Sequence, residues 1–397
     1  MKNLLFVDDE PRILQGLQRQ LYGMRSEWDI SFADSGANAL KVMAEKPIDV
    51  VVSDMMMPGM DGAQLLTEVM KRHPNTVRVV LSGHADRESV LRLVGPAHQY
   101  LSKPCDAEEL RTAIRRAFAL RDLLTNEQLK QLATRLRSLP TLPALHAQLT
   151  QELRKEEPSL ENVGKIIAQD IGMTSKILQL VNSAFFGLPQ PLSSAREAVM
   201  YLGLATVRAL VLSIQVFSQF DQNLIRGFSI DALAQHCWVT GVMARRISEL
   251  ENAGPQVNDQ CFLAGLLHDV GQLILASGLP EEYARVIAKA NTEGISLWAA
   301  EQSEFGATHA EVGAYLLGLW GLPNMIIEAV ALHHRPSDSP VKSFSPLIAV
   351  CVADAFAHEQ SGTTSESTKE QLEECLSQHG LGDRLERWRE HCFDDGL

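Results

Sequence analysis

Leu4-Leu5-Phe6-Val7-Asp8-Asp9, Asp49-Val50-Val51-Val52-Ser53-Asp54 and Tyr100-Leu101-Ser102-Lys103-Pro104 each run a short apolar stretch into charged residues. Apolar runs of this length between helical stretches predict buried parallel strands. In such sheets the chemistry collects at the carboxyl ends of the strands. Asp8, Asp9, Asp54 and Lys103 are therefore expected on one edge. Carboxylates facing one another are costly unless a cation lies among them, and oxygen donors with room for water suit Mg²⁺. A metal-bound aspartate beside a lysine is able to attack phosphorus, because metal and ammonium offset charge on the phosphoryl oxygens. Ser82 ends the further run Val77-Arg78-Val79-Val80-Leu81 and has a hydroxyl to donate to the same group.

With these residues, 1–121 resembles the receiver domain of two-component response regulators, an α/β doubly wound, flavodoxin-like fold that takes a phosphoryl group from a sensor histidine kinase. The resemblance implies that Asp54 is the phosphoacceptor and that Asp9 and Asp54 bind Mg²⁺ directly. It implies that Asp8 supports the metal through water and that the backbone carbonyl of Met56 completes the protein ligands. Lys103 then reads the phosphoryl charge, Ser82 its remaining oxygen, and Tyr100 is the aromatic switch. Pro58 and Gly62 stand where the family places a proline and a glycine. Both suit the local chain, since Pro58-Gly59 turns it and Gly62 opens the next helix.

A length of 397 residues predicts two to three domains, and 45% hydrophobic content is enough for real cores. The net charge of −13 argues against general nucleic-acid binding, which needs clustered Lys and Arg. No helix-turn-helix with a basic recognition face stands out, so direct DNA binding is not expected. Met1-Lys2 runs into the first strand without a secretory leader, and no apolar run reads as long enough for a membrane span. Cys105, Cys237, Cys261, Cys351, Cys375 and Cys392 are scattered without a CxxC pair. Reduced thiols in a cytoplasmic protein are the expectation.

The last receiver helix is expected from about Asp106 to Arg121, with Leu110, Ala113, Ile114, Ala117 and Phe118 at helical spacing. No Gly or Pro follows until Pro140, so the helical pattern reads onward through a linker, 122–139. There Leu129, Leu132, Leu136 and Leu139 fit either the seam of a short coiled coil, hence a homodimer, or an amphipathic helix packed on its own chain.

From 140 to 358 the periodicities are helical throughout, predicting an all-α domain. Ser159 is expected to cap a helix holding Leu160, Val163, Ile166 and Ile167. Two stretches carry a second resemblance: Gln169-Asp170-Ile171-Gly172 through Asn182-Ser183-Ala184-Phe185-Phe186-Gly187, with Tyr201-Leu202-Gly203-Leu204, and Leu263-Ala264-Gly265-Leu266-Leu267-His268-Asp269-Val270-Gly271. Together they are similar to HDOD domains, HD-related output modules generally considered non-catalytic that bind downstream signalling proteins. Asn182 and Ser183 read as backbone hydrogen bonders closing a helix.

His236, His268, Asp269, His309, His333, His334 and Asp354 occur in the order that HD hydrolases use for one or two metals. Adjacent His268-Asp269 in an apolar helix is expensive unless ligated or hydrogen-bonded. Imidazole and carboxylate donors suit a transition metal such as Zn²⁺, Mn²⁺ or Fe²⁺. Two departures from the HD-GYP phosphodiesterases of cyclic di-GMP stand against turnover. Gln272 replaces a lysine, and Arg335-Pro336-Ser337-Asp338 follows the histidine pair without Gly-Tyr-Pro. A relic polar network, metal binding without catalysis, and metal-dependent phosphohydrolysis all remain open. The tail, 359–397, opens as a polar linker and then holds short amphipathic helices, one from Asp383 to His391 with Leu385 and Trp388. Capping the bundle is its expected role.

Overall fold

The computed structural model describes residues 2–82, 97–103, 105, 107–123, 126–135, 140–141, 143–155, 157–182, 188, 191–208, 218–219, 227–341, 343–362, 372–373, 376–377 and 379–393. Two compact units make up the chain. One comprises Met1–Ser138, Gln179–Gln190 and Gly318–Gly321, and the other the remainder.

The first unit holds strands β1 (Lys2–Val7), β2 (Trp28–Ala33), β3 (Val50–Asp54), β4 (Val77–Ser82) and β5 (Gln99–Ser102). They form one parallel sheet in the order β2-β1-β3-β4-β5. Leu4, Leu5, Val50, Val51 and Val52 are wholly buried, as expected of strands covered on both faces. Helices α1 (Pro11–Gln20), α2 (Gly36–Glu45), α3 (Gly62–Arg72) and α4 (Ala107–Leu123) alternate with them. Asp61 and Gln64 form a reciprocal capping box at the start of α3, with bonds of 2.8 and 3.1 Å. In α4, Leu110, Ile114, Ala117 and Phe118 are buried, following the periodicity read from the sequence.

The linker departs from a continuous helix. α4 stops at Leu123, and α5 (Glu127–Arg135) starts afresh after Asn126, whose Oδ1 accepts from the Leu129 amide at 3.1 Å. A short polar side chain that bonds its own backbone competes with helix continuation. Leu129 and Ala133 are buried, and α5 packs beside α3 within the same unit. The wholly buried Arg78 donates to the carbonyl of Thr134 at 2.7 Å, and Asn75 donates to Glu127 at 2.9 Å. Leu129 thus belongs to an intrachain core, while Leu136 and Leu139 lie outside the described residues.

The second unit is helical, the last residues of α8 and α15 being counted with the first: α6 (Pro143–Leu153), α7 (Leu160–Ala168), α8 (Ile171–Val181), α9 (Ala195–Arg208), α10 (Ile230–Leu250), α11 (Pro255–Leu267), α12 (Val270–Gly278), α13 (Pro280–Glu293), α14 (Leu297–Phe305), α15 (His309–Leu319), α16 (Asn324–Leu332), α17 (Pro346–Gln360) and α18 (Leu385–Phe393). Its β content among the described residues is a two-residue parallel pair, Pro140–Thr141 with Ser218–Gln219. Ser159 caps α7 as expected, accepting from the Asn162 amide at 3.3 Å. Of the aromatic segment, Ser183 to Gly187 lies outside the described residues.

Close helix approach organises this unit. A Cβ on Gly265 would come within 2.7 Å of Gly241, so α10 and α11 cross backbone to backbone. Pro255–Gly278 is long and apolar enough to qualify as a membrane span by composition, against the sequence expectation, yet 78% of its window is buried within the protein. It is the core pair α11–α12. In the tail, Trp388 is buried and its Nε1 donates to Glu251 at 3.0 Å, while Arg389 reaches Glu359 at 2.6 Å. That helix caps α10 and α17, as expected.

Candidate functional site

Sheet register sets the first cluster. Val7 pairs with Ser53 and Ser82 with Ser102, so the carboxyl ends of β1, β3, β4 and β5 finish level. Asp8 and Asp54 are buried and Asp9 is half-buried at that edge. The Lys103 ammonium bridges them, bonding Asp8 Oδ2 at 2.6 Å and also Asp54 Oδ1. Burial pulls this ammonium down, but the hydrogen bonds and charges of Asp54 and Asp8 outweigh it and raise Lys103 above the usual lysine range. Backbone amides hold the acids in place: Glu10 N donates to Asp8 Oδ1 and Met56 N to Asp54 Oδ2, each at 2.9 Å. A Cβ on Gly62 would meet the Asp54 carbonyl at 2.2 Å, which explains glycine there. Ser82 ends β4 at this edge and Tyr100 lies two residues before the end of β5, and their side chains are outside the described residues. One lysine cannot neutralise three carboxylates, and the hard oxygen donors fit Mg²⁺.

The second cluster forms where six helices meet. His236 comes from α10 and Asp354 from α17; His268 and Asp269 sit between α11 and α12. His309 opens α15, and His333 with His334 follows α16. All seven residues read from the sequence come together, in two groups each able to hold an ion: Asp269, His309, His333 and His334, and His236, His268 and Asp354. Asp269 faces both. Its Oδ1 lies 3.0 Å from His309 Nε2 and 3.7 Å from His333 Nε2, and its Oδ2 lies 3.4 Å from His268 Nε2.

The rings are oriented from behind. His268 Nδ1 donates to the Gly265 carbonyl at 2.7 Å and His333 Nδ1 to the Val330 carbonyl at 2.8 Å. His309 Nδ1 bonds Glu301 Oε2 at 2.6 Å. An acceptor held against one ring nitrogen turns the other inward for a cation. Glu301, wholly buried and not anticipated from the sequence, also accepts from the His309 amide and the Tyr283 hydroxyl at 2.8 and 2.9 Å. It stands eight residues before His309, too far for a local motif to announce. Close contact fixes the scaffold: a Cβ on Gly271 would meet the His309 carbonyl at 1.9 Å.

Burial lowers His309, but the charges of Glu301 and Asp269 carry it up to about 10. Burial holds His333 and His334 below the usual histidine range. Burial raises Asp269, yet His268 and His309 bring it well below the ordinary carboxylate range. Buried His333 Nε2 has no hydrogen-bond partner among the described residues. An inward-facing, unpartnered imidazole nitrogen beside a bridging carboxylate fits a divalent metal ion. A proton or a metal answers the same negative charge. Gln272, half-buried in the first turn of α12, leaves the position three residues after Asp269 without a cation.

Comparison with known proteins agrees with both parts. A response regulator receiver domain model matches residues 4–115 and an HDOD domain model residues 139–336. The MmoQ response regulator of Methylococcus capsulatus strain Bath is 28% identical with a TM-score of 0.50, over 64% of this chain and 98% of that one. An uncharacterised protein of Treponema pallidum strain Nichols is 26% identical over 59% of the chain and 44% of its own length. The DNA-binding transcriptional regulator NtrC of Escherichia coli K12 is 34% identical over 28% of this chain and 24% of its own. The chain thus spans less than half the length of these curated relatives. The receiver match identifies a response regulator of two-component signalling. Within that class the chain belongs with the regulators that join a receiver domain to an HDOD domain.

Proposed function

We propose that Asp54 accepts a phosphoryl group from a sensor histidine kinase and thereby controls an HDOD domain that acts by binding downstream signalling proteins in the cytoplasm. The observation carrying the first half is the Lys103 bridge between Asp8 and Asp54 at the carboxyl edge of the sheet. Asp54, Asp9 and the Met56 carbonyl would hold Mg²⁺, with Asp8 supporting it through water. The ion would offset charge on the phosphoryl oxygens. Asp54 supplies the nucleophilic oxygen and Lys103 the ammonium that meets the transferred group. Ser82 and Tyr100 serve as the switch pair, and α4 with α5 (or dimerisation through them) is the route by which their state reaches the output. Gln272 and the absence of Gly-Tyr-Pro favour binding over hydrolysis, because positioning supplies much of the rate in phosphoryl chemistry.

The helical domain also binds divalent metal in this reading, supported by the inward-turned imidazoles and the unpartnered His333 Nε2. The same observation keeps metal-dependent phosphohydrolysis as the second reading. Incubation with acetyl phosphate and Mg²⁺, followed by intact-mass measurement, tests the receiver assignment. Wild type gains one phosphoryl mass and Asp54→Asn gains none. Undiminished labelling of Asp54→Asn overturns the assignment. Metal-dependent cleavage of cyclic di-GMP that disappears in Asp269→Ala would replace binding with hydrolysis.

A further inference from the structure

We propose that Arg78 and His98 form a buried latch that grips the linker helix α5 by its carboxyl end and ties it to the two strands carrying the switch pair. The state of Asp54 then reaches residues 127–135 through β4 and β5, an inference that rests on the phosphoacceptor reading of Asp54.

One carbonyl gathers the contacts. Thr134 lies in the last turn of α5, where a helix leaves its carbonyls without intrahelical partners. Its oxygen accepts from Arg78 Nη2 at 2.7 Å and lies 3.2 Å from His98 Nε2. Those two nitrogens stand 2.7 Å apart, so guanidinium, imidazole and carbonyl meet at one point. The backbone locks the pair together: the Arg78 amide donates to His98 Nδ1 at 3.1 Å, and the His98 amide donates to the Arg78 carbonyl at 2.8 Å.

Arg78, His98 and Thr134 are 0%, 2% and 0% exposed. A cation at a helix carboxyl end is favourable, and the guanidinium fork serves a second carbonyl, that of Thr76, at 3.3 Å. Burying a guanidinium is nonetheless costly, and an apolar side chain would pack on α5 without that cost. What the charge adds is direction, a contact that survives only while strand and helix keep their alignment. Little else fixes this end of α5. The helix has nine residues, too few to persist alone in water. Among its described side chains the buried apolar ones are Leu129 and Ala133, and the Asn75–Glu127 bond holds the opposite end.

The gripping strands are also the switch strands. Ser82 ends β4 four residues after Arg78, about 13 Å along the strand, and Tyr100 of β5 follows His98 by two. Val80 pairs with Tyr100 and Ser82 with Ser102, so a shift of either strand at the phosphoryl edge is carried by the ladder to the end that holds Thr134.

Hydrogen exchange over residues 127–135 of the full chain, before and after phosphorylation by acetyl phosphate with Mg²⁺, tests this. In wild type, phosphorylation should change exchange there by at least about 5-fold. Arg78→Met should speed exchange by about 10–100-fold, the loss expected for a hydrogen bond from a charged group. It should also abolish the dependence on phosphorylation while Asp54 still gains its phosphoryl mass. His98→Ala acts on the same carbonyl, should erase the dependence too, and serves if Arg78→Met fails to fold. A purely structural role predicts faster exchange with the phosphorylation effect intact, and that result overturns the latch. So does wild-type exchange that ignores phosphorylation although the mass is gained. A wild type that gains no phosphoryl mass overturns the Asp54 reading and the coupling with it, while the grip on α5 is still read from Arg78→Met against wild type.

Discussion

Lys103 in the receiver stands between Asp8 and Asp54 and is held above the ordinary lysine range, whereas Lys176 on α8 is enclosed completely and burial lowers it to about 7. The same ammonium is a working charge in one unit and a liability in the other. The two acidic sites differ in the same way. The receiver gathers oxygens at an open sheet edge, an arrangement that suits a weakly held, hydrated Mg²⁺. The helical domain gathers imidazoles at a helix junction, where donors are oriented by a second layer and exchange with water is restricted. One arrangement suits turnover of a charge state. The other suits retention.

Glycine substitutions should break the comparison most forcefully. Gly271→Ala sets a methyl group against the His309 carbonyl, and Gly62→Ala sets one against that of Asp54. Each is expected to cost about 3 kcal/mol or more, roughly 6–12 °C in melting temperature. Gly62→Ala should abolish phosphoryl uptake and spare zinc retention, while Gly271→Ala does the reverse. Loss of both properties in either variant, read by mass measurement and metal analysis, would mean that the sites are not independently built.

A finer test uses Lys176. The folded group has a pKa of about 7 against 10.5 unfolded. Between these values the unfolded chain binds a proton that the folded chain lacks, so stability should rise with pH across that window, by up to a few kcal/mol. Lys176→Met should leave the helical domain folded near neutral pH and flatten the rise. Denaturant unfolding at several pH values measures both, and an unaltered slope would refute the assignment. The smallest effect belongs to Gly16, inside α1 with nothing near its Cβ position. Gly16→Ala should stabilise the receiver by about 0.5–1 kcal/mol without touching either site.

The receiver was legible in sequence because a parallel sheet places its chemistry at strand ends, where four charged residues follow apolar runs. The His and Asp series of the second unit was legible too, since an adjacent His268-Asp269 pair in an apolar helix is too costly to bury without a ligand or a hydrogen-bond network around it. Two features were not. The break at Asn126 carries neither Gly nor Pro, and only packing of Leu129 and Ala133 inside the first unit reveals it. Glu301 reads as one more polar residue of α14 until helix packing brings it behind His309.

Gly271 presses α12 onto the backbone of His309, so closely that not even a methyl group fits between them. Parting there requires both helices to move together. Backbone amides in that contact should therefore exchange deuterium only through a large, cooperative opening. If the metal-binding reading holds, an ion held by His309 should be released on the timescale of that opening rather than of diffusion.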